Sequence, residues 1–246
     1  MREFSPMAIT FNGNVLDEEI KGYTTINVEG RSLMAPELST FTVPGRDGDV
    51  VSTKQYPAKD IVVHFLLEEE NHVYFMESLR RLNVLLQSKG AVPFSFYDEW
   101  GYRTGQVSAV NDPPYDQLAG VGSFTIHCSD PFMYGHMQSA TDRMPPLKSA
   151  LPVKIESIVV SVDPNTTSLV VRNVTTGKKI ILTDLPKKAG ELVITMDDIT
   201  FDGENCMSAL DFAHSDYHGF ELHGDDVLEY EPTSVAAVVT FRERVL

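Results

Sequence analysis

The chain has 246 residues, which is enough for one large domain or two modest ones, and its 42% apolar and 22% charged residues are typical of a folded protein. With 20 basic and 35 acidic residues the formal net charge is −15, which argues against nucleic acid as a specific partner and against an anionic membrane surface. No stretch approaches the roughly 18 apolar residues of a membrane span, so membrane insertion is not expected.

The N-terminal segment and the cysteines indicate a protein that folds in a cytoplasm. Residues 1–14 lack the long apolar segment of a secretory signal peptide. Met7 is an alternative start to Met1, and it would make the first six residues an upstream extension. Cys128 and Cys206 lie far apart without the spacing of a zinc knuckle or a disulfide framework, so two buried thiols in a reducing compartment are the simpler interpretation.

Short strand-like segments dominate the first half of the chain. They are rich in β-branched and aromatic residues and are separated by Gly and Pro. The predicted strands are residues 7–11, 23–28, 38–43, 60–67, 93–97, 102–110 and 121–128. The last two can pair as a hairpin, and the polar, turn-rich loop NDPPYDQLAG between them is predicted to form an exposed arm.

One amphipathic helix is predicted over residues 71–89. Asn71 can cap its start, Gly90 can end it, and Lys89 would lie in the last turn, where the helix dipole favours a cation. The helical spacing of the apolar side chains predicts a stripe that packs on the sheet of the same domain. The residues of this predicted stripe are Val73, Met76, Leu79, Leu82 and Leu86.

The second half of the chain is predicted to be a separate β domain. Residues 136–150 contain Pro145-Pro146 and no sustained period, which predicts a linker between domains of residues 1–135 and 151–246. Short strands at intervals of about 8–12 residues favour a β-sandwich or jelly roll. The predicted strands are residues 153–162, 168–172, 179–183, 191–195, 219–222 and 236–243.

The segment Pro44-Gly45-Arg46-Asp47-Gly48 follows a predicted strand. Its glycines allow positive φ angles and Asp47 suits a turn, so the segment predicts a tight turn with an exposed Arg46. It is not a phosphate-binding loop, because the GxxxxGK[ST] pattern and a following helix are missing. Arg46 can pair with an acidic neighbour within the chain or across a subunit contact.

No motif of catalysis or metal binding stands out. His214 and His218, flanked by Asp211 and Asp216, have a spacing that can share a metal on a helix, but their segment is short and irregular and no HExxH pattern is present. Residues 191–231 contain twelve acidic residues and no Lys or Arg, which favours a solvated acidic face, with a calcium site or a basic partner as alternatives. We predict no catalytic, cofactor-binding or metal-binding residues and no cofactor.

Sugar binding is an alternative function, because β-sandwiches often bind glycans through exposed aromatic rings. Several of the aromatic residues after residue 150 lie in strand-like segments, which favours a place in the core over a glycan platform. These residues are Phe201, Phe212, Tyr217, Phe220, Tyr230 and Phe241.

Four features in one order resemble the N-terminal domain of siphophage distal tail proteins. They are MAITFNGN at the start, VPGRDGDVV at 43–51, the helix at 71–89 and the strand that closes with HCSDPFMYG at 127–135. This resemblance covers roughly residues 7–135. The second half, with ELVITMDDITFDGEN at 191–205, is similar to the C-terminal domain of the family more loosely.

The resemblance implies a mostly β fold and a structural role. Its fold would be an N-terminal β-sandwich-like ring domain with one α-helix and a β-hairpin arm, followed by a C-terminal galectin-like or carbohydrate-module-like β-sandwich. Six copies of the chain would form a ring at the tail tip of the virion. This ring would be assembled in the cytoplasm of the bacterial host. That ring would join the tail tube protein to the tail-tip hub or fibre protein and to the host-adsorption apparatus.

A ring of this kind predicts head-to-tail contacts between different patches of neighbouring subunits. The candidate contact residues lie in the GRDG turn and in the hairpin arm: Arg46, Asp47, Pro113, Pro114 and Tyr115. A receptor-binding protein or a cell-wall glycan are further expected partners, and enzymatic activity is not expected. The alternatives are a carbohydrate-binding module that anchors the virion to the host cell wall and a wall-degrading hydrolase.

Overall fold

The computed structural model describes residues 5–246 and divides the chain into two compact units. The first unit extends to Met133, and the second comprises Tyr134–Val245. The choice between Met1 and Met7 as the start stays a prediction, since residues 1–4 lie outside the described residues. Within residues 5–246, no helix is both long and apolar enough to span a membrane.

An antiparallel sheet of seven strands forms the body of the first unit. Its order is β2-β1-β7-β8-β9-β6-β3, and β4 and β5 form a separate two-stranded sheet. The strands described in this unit are β1 (Ile9–Phe11), β2 (Asn14–Val15), β3 (Tyr23–Glu29), β4 (Glu37–Phe41), β5 (Val50–Gln55), β6 (Lys59–Glu68), β7 (Val92–Phe96), β8 (Arg103–Asn111) and β9 (Ala119–Cys128).

Alternation of side chains along β6 and β9 builds the core of this sheet. The two strands pair over ten residues, from Lys59 opposite Cys128 to Glu68 opposite Ala119. Every second side chain of β6 points to the buried face, as the period of a strand requires. Phe65 of β6 stacks on Tyr23 of β3 with 5.2 Å between the ring centroids. Each of the seven strands predicted in the first half from β-branched and aromatic residues overlaps a strand of the structure. The mostly β class is confirmed.

The described part of the first unit contains two α-helices: the one-turn α1 (Leu16–Glu19), which the sequence pattern does not predict, and α2 (His72–Leu86). The predicted cap of α2 is confirmed, because the side chain of Asn71 accepts a hydrogen bond of 3.0 Å from the amide of Tyr74. The helix ends at Leu86, so Lys89 lies beyond the last turn and not in it.

The buried face of α2 differs from the predicted stripe. Val73 is 73% exposed, whereas Phe75 is fully buried, and Leu82 and Leu86 are buried as predicted. Phe75 lies two residues from Val73, so the buried stripe is rotated about the helix axis relative to the prediction. This rotation leaves Met76 and Leu79 only partly covered at the edge of the core.

The second unit contains two sheets. A six-stranded sheet has the order β10-β18-β11-β14-β15-β16 and a three-stranded sheet has the order β13-β12-β17. The strands are β10 (Met133–Ala140), β11 (Lys154–Val162), β12 (Leu169–Asn173), β13 (Lys179–Leu182), β14 (Gly190–Ile194), β15 (Ile199–Phe201), β16 (Glu204–Asn205), β17 (Leu228–Glu231) and β18 (Ala236–Val245).

One apolar cluster is shared by both sheets of the second unit. It includes Ile158 and Val239 from the large sheet and Val171 and Ile180 from the small one, all fully buried. A core between two sheets is the arrangement expected of a β-sandwich. The galectin-like or carbohydrate-module-like character of this unit stays a prediction.

Two segments of the second unit differ from the sequence prediction. The strand predicted at 219–222 is wrong, because Tyr217–Gly219 form a 3₁₀ turn and the chain then continues without a strand. Residues 136–150, predicted as a linker, begin with part of β10 and then pack on the second unit. In this segment Met144 is buried, and the amides of Lys148 and Ser149 donate hydrogen bonds of 2.8 and 3.0 Å to the Glu243 carboxylate.

Candidate subunit-contact surfaces

The most exposed β structure of the first unit is the hairpin of β4, β5 and their turn, residues 37–55, called the ribbon below. Its two strands pair with each other and with no other described strand. Every ribbon residue is exposed except the half-buried Val50. An isolated two-stranded hairpin is marginally stable in water. A ribbon of this kind is therefore expected to gain stability when a partner covers it.

Apolar side chains occupy the ribbon on both of its faces. Phe41 is 52% exposed and lies opposite Val50, so these two side chains are neighbours on one face. Val51 is 52% exposed and lies opposite Thr40, the residue next to Phe41, so it points to the other face. Aromatic and aliphatic side chains left in water on an extended element mark an interaction surface.

The tip of the ribbon carries two of the predicted contact residues, Arg46 and Asp47. The amide of Arg46 donates a hydrogen bond of 3.1 Å to the carbonyl of Val43, which gives the tight turn predicted from the sequence. Gly45 and Gly48 have φ angles of 84° and 81°, a left-handed conformation that favours glycine. Arg46 and Asp47 are exposed, and within residues 5–246 neither forms an ion pair.

The other three predicted contact residues lie in the loop between β8 and β9. Pro113 is buried, whereas Pro114 and Tyr115 are exposed. A Cβ atom on Gly120 would lie 2.9 Å from the Cβ of Pro113, so this glycine is needed for the close approach of the loop. The carbonyl of Leu118 also accepts a hydrogen bond of 2.9 Å from Glu69. The loop therefore contacts the body of the unit at Pro113 and Leu118, while residues 114–119 are exposed.

The hydroxyl of Tyr115 donates a hydrogen bond to the carboxylate of Asp112. This hydrogen bond raises the pKa of Tyr115, since the anionic carboxylate stabilises the protonated phenol. Tyr115 and Asp112 are among the residues that line a groove between α2 and the β8–β9 hairpin, called the α2 groove below.

The α2 groove has a volume of about 320 Å³ and a largely apolar floor. Val110 of β8 is 56% exposed along it, while Phe65 and Leu82 are buried at its base. A more open depression shares Asn83, Leu86 and Val110 with the groove and is also lined by Lys89. The remaining side chains of the groove are Met76, Leu79, Arg80, Asn83, Leu86, Asp112 and Tyr115.

The chain that enters the ribbon is fixed by a charged cluster, called the ionic anchor below. Arg31 donates two hydrogen bonds of 2.6 Å to the two carboxylate oxygens of Asp98. Arg103, buried to 2% exposure, pairs with Glu99, and Lys59 donates a hydrogen bond of 3.0 Å to the carbonyl of Arg31. Arg31 lies six residues before the ribbon, so this cluster ties the start of the ribbon to the sheet.

The ionic anchor shifts the titration of its members. The hydrogen bonds from Arg31 lower the pKa of Asp98, because they stabilise its ionised form. Burial lowers the pKa of Lys59. Burial also raises the pKa of the neighbouring Cys128 thiol to about 11, against the weaker opposite effect of Arg103 and Lys59. Cys128 is therefore a protonated thiol at neutral pH, as expected of a buried structural cysteine.

Most aromatic side chains of the second unit fill its core, as the sequence predicted. Five of the six aromatic residues after residue 150 are buried, and Phe212 is the exposed one at 59%. The ring of Phe212 packs edge-on against Tyr217 with 6.4 Å between the centroids. Glycan binding by this unit stays a prediction.

The histidine segment of the second unit makes local contacts. Nδ1 of His214 lies 2.8 Å from the carboxylate of Asp211, and Asp216 accepts a hydrogen bond of 3.0 Å from the amide of Lys179. The hydrogen bond with His214 lowers the pKa of Asp211. Across residues 5–246, no three His, Cys, Asp or Glu side chains converge in a way that could hold a metal ion.

Comparison with known proteins connects this fold to phage tails. Residues 18–127 match the family model of the phage tail protein RIFT-related domain. The distal tail protein of Bacillus phage SPP1 is 30% identical over 113 residues, which are 44% of this chain and 44% of that protein. The crystal structure of SPP1 Dit matches this chain with a TM-score of 0.81 at 18% identity. The match covers 98% of this chain and 99% of the SPP1 chain. SPP1 Dit is described as a paradigm of hub adsorption apparatus in phages that infect Gram-positive bacteria.

The resemblance to siphophage distal tail proteins is confirmed. The sequence match falls in the first unit, within which the ribbon, the α2 groove and the ionic anchor lie. It spans less than half of the length of the SPP1 protein. Over the second unit the likeness is one of fold, because the sequence identity to the SPP1 structure is low.

Proposed function

We propose that the chain is a structural distal tail protein of a phage, whose copies form a hexameric ring at the virion tail tip. The ring joins the tail tube protein on one side to a hub or fibre protein of the host-adsorption apparatus on the other. Similarity of the first unit to the SPP1 distal tail protein supports this role. Assembly in the cytoplasm of the bacterial host agrees with the two free, buried cysteines.

The ribbon is the observation that carries the proposal. A closed ring needs two different patches on every subunit, one that projects and one that receives. The ribbon projects as an exposed hairpin with apolar side chains on both faces, and its tip presents Arg46 and Asp47 to solvent. A subunit that remained single would leave Phe41 and Val51 in water, at a cost of about 25 cal/mol for each Å² of apolar surface that a partner could cover.

Native mass spectrometry tests the proposal. The protein is measured alone and mixed with the tail tube protein encoded in the same phage genome. We expect a species of six copies of 27.4 kDa in at least one of the two samples. Phe41→Asp should shift the assembly toward monomer, because it places a charge on the apolar face of the ribbon.

Val84→Asp is the matched control, since Val84 is an exposed valine on α2 that is remote in sequence from the ribbon. It should leave the assembly intact. A protein that stays monomeric in both samples at every concentration would overturn the proposed ring.

A further inference from the structure

We infer that the outer edge of β17 in the second unit binds an extended, basic segment of another protein as an additional strand. The small sheet of this unit has the order β13-β12-β17, so β17 pairs with one strand only. An edge strand with free backbone groups is a site at which a further strand can add. The inference is separate from the proposed ring, since it concerns the second unit and a partner other than this chain.

The two edges of the small sheet are covered to different extents. Residues 209–216 run along β13, where the amide of Asp211 donates a hydrogen bond of 3.0 Å to the carbonyl of Ile181. On β17 the cover is confined to the start of the strand. There the amide of Leu228 donates a hydrogen bond of 2.7 Å to the carbonyl of Asp142. The rest of the β17 edge is therefore the open edge of this sheet.

The open position on this edge is Tyr230. In an antiparallel pair, the backbone groups of successive residues point alternately toward the neighbouring strand and away from it. Leu228 directs its amide away from β12, so Tyr230, two residues later, directs its amide and carbonyl to the same side. Among residues 5–246, no group forms a hydrogen bond with this amide or this carbonyl. A partner residue opposite Tyr230 would form both hydrogen bonds of an antiparallel pair.

A groove of about 390 Å³ lies along this edge, and its charge is negative. Three carboxylates line it, from Asp142, Glu229 and Glu231, and no Lys, Arg or His of the described chain does. Glu231 lies 3.7 Å from Arg172, whereas Asp142 and Glu229 form no ion pair within residues 5–246. Complementary charge therefore favours a basic segment as the occupant.

The alternation of side chains along β17 specifies the sequence of that segment. Glu229 and Glu231 are exposed on one face of the strand, whereas Leu228 and Tyr230 point to the buried face. A residue that pairs with Tyr230 would lie on the apolar side, and its two neighbours would face Glu229 and Glu231. The expected partner sequence is therefore one apolar residue between two basic residues.

The occupant is a different protein and not a second copy of this chain. Pairing of β17 with β17 of a second copy would place Glu229 of one chain opposite Glu231 of the other, and like charges across a strand pair are unfavourable. The sequence also lacks the expected pattern. Two basic residues with one residue between them occur once, at Arg242 and Arg244, and the residue between them is Glu243.

Fluorescence anisotropy with three labelled peptides tests the inference on the full-length protein. The parent peptide is Gly-Thr-Lys-Val-Lys-Thr-Gly. The second peptide carries an N-methyl group on its Val, which removes the amide that would pair with Tyr230. The third carries the N-methyl group on the Lys after Val, whose amide would point away from β17. We expect the second peptide to bind at least about tenfold more weakly than the parent, and the third to bind within about twofold of it.

Variants of the protein test the contribution of the carboxylates. Glu229→Gln combined with Glu231→Gln should weaken binding of the parent peptide by about fivefold, as expected for two partly exposed ion pairs. Glu191→Gln combined with Glu204→Gln is the matched control, because both residues are exposed in the same unit and lie outside the groove. This control should bind the parent peptide as tightly as the unmodified protein does.

Hydrogen exchange followed by mass spectrometry locates the bound peptide. Exchange in the protein fragment that contains Tyr230 should slow when the parent peptide is present. The inference is wrong if the parent peptide does not bind, if the two methylated peptides bind equally, or if the two double variants bind equally. Slower exchange at Tyr230 when the protein alone is concentrated would show that a second copy covers the edge, which also contradicts the inference. None of these results bears on the proposed ring, which native mass spectrometry measures separately.

Discussion

Arg31 and Asp98, which are 67 residues apart in sequence, face each other with two parallel hydrogen bonds of 2.6 Å. The bidentate geometry matches the planar guanidinium to the carboxylate and fixes the direction of both side chains. The guanidinium of Arg31 also lies 5.0 Å from the ring centroid of Phe96 in β7. This pairing connects the segment that enters the ribbon to the sheet of the first unit.

The Arg31–Asp98 pair predicts a dependence of stability on acid pH. The pKa of Asp98 is lowered in the folded state, so its stabilising contribution is complete above the unfolded pKa of about 3.9 and is lost as the pH falls toward the folded pKa. Asp98→Asn should therefore lower the Tm at pH 7, and its difference from the unmodified protein should shrink below about pH 4.

The fluorescence of Trp100, the single tryptophan, reports this melting in the first unit. Asp116→Asn is the control, because Asp116 is an exposed loop residue without an ion pair among the described residues. A Tm difference for Asp98→Asn that stays constant down to acid pH would contradict the role of the pair.

Breaking the buried pair of Arg103 and Glu99 is predicted to destabilise the first unit strongly. Arg103→Met leaves the Glu99 carboxylate, 16% exposed, with Arg31 at 3.8 Å as its remaining cation. We expect the free energy of unfolding to fall by an amount near the low end of about 3–5 kcal/mol, the range for a buried pair from which one partner is removed. Urea unfolding followed by Trp100 fluorescence measures it.

Arg81→Met is the comparison for this prediction. Arg81 pairs with Glu19 at the surface of the same unit, with side-chain exposures of 55% and 38%. An exposed pair contributes about 0–1 kcal/mol. If Arg103→Met and Arg81→Met lowered the free energy of unfolding by the same amount, burial of the Arg103 pair would not determine how much that pair stabilises the unit.

Asn173 is predicted to hold two loops of the second unit together. Its side chain is fully buried, donates hydrogen bonds to Asp226 (2.7 Å) and to the carbonyl of Glu221 (3.1 Å), and accepts them from the amides of Thr175 and Thr176. Asn173→Ala leaves these groups without their partner, at a cost of about 1–3 kcal/mol.

Hydrogen exchange followed by mass spectrometry checks this prediction. The peptides that contain residues 173–177 and 221–228 should exchange faster in Asn173→Ala. In Asn205→Ala, which removes an exposed amide 3.3 Å from Asp198, they should keep their protection. Unchanged exchange in Asn173→Ala would mean that the loops are held by other contacts.

Cys128 is predicted to be unreactive in the folded protein. A pKa of about 11 leaves roughly one thiol in a thousand as thiolate at pH 8, and the thiolate is the reactive form. In a Cys206→Ala variant, DTNB should label the single remaining thiol at once in urea and only slowly in buffer at pH 8. Rapid labelling of the folded variant would contradict the burial of Cys128.

The sequence predicted elements best where one face of a strand or helix is buried. The alternation of buried and exposed residues along β6 was sufficient to predict that strand. The start of α2 was also predictable, because the cap at Asn71 is a local hydrogen bond. The strand β5 was not predicted, because the residues that follow Val50 and Val51 in it are polar and carry no apolar alternation. The strand β10 was read as partly linker, since its partner β18 lies about a hundred residues later in the chain.

The candidate contact site was predictable only in part. The PGRDG segment indicated the turn with Arg46 at its tip, because glycine and aspartate specify such a turn locally. The α2 groove was not predictable, since it depends on the rotation that buries Phe75 and leaves Met76 and Leu79 at its edge. The Arg31–Asp98 pair joins distant residues, and no local pattern indicates it.

Cryo-electron microscopy of the assembled protein, purified with its tail tube partner, tests the central claim most directly. The account predicts a closed ring of six subunits in which residues 37–55 of each subunit contact a neighbouring subunit. Particles that contain single subunits alone, or a ring in which Phe41 and Val51 of every subunit remain exposed to solvent, would contradict it.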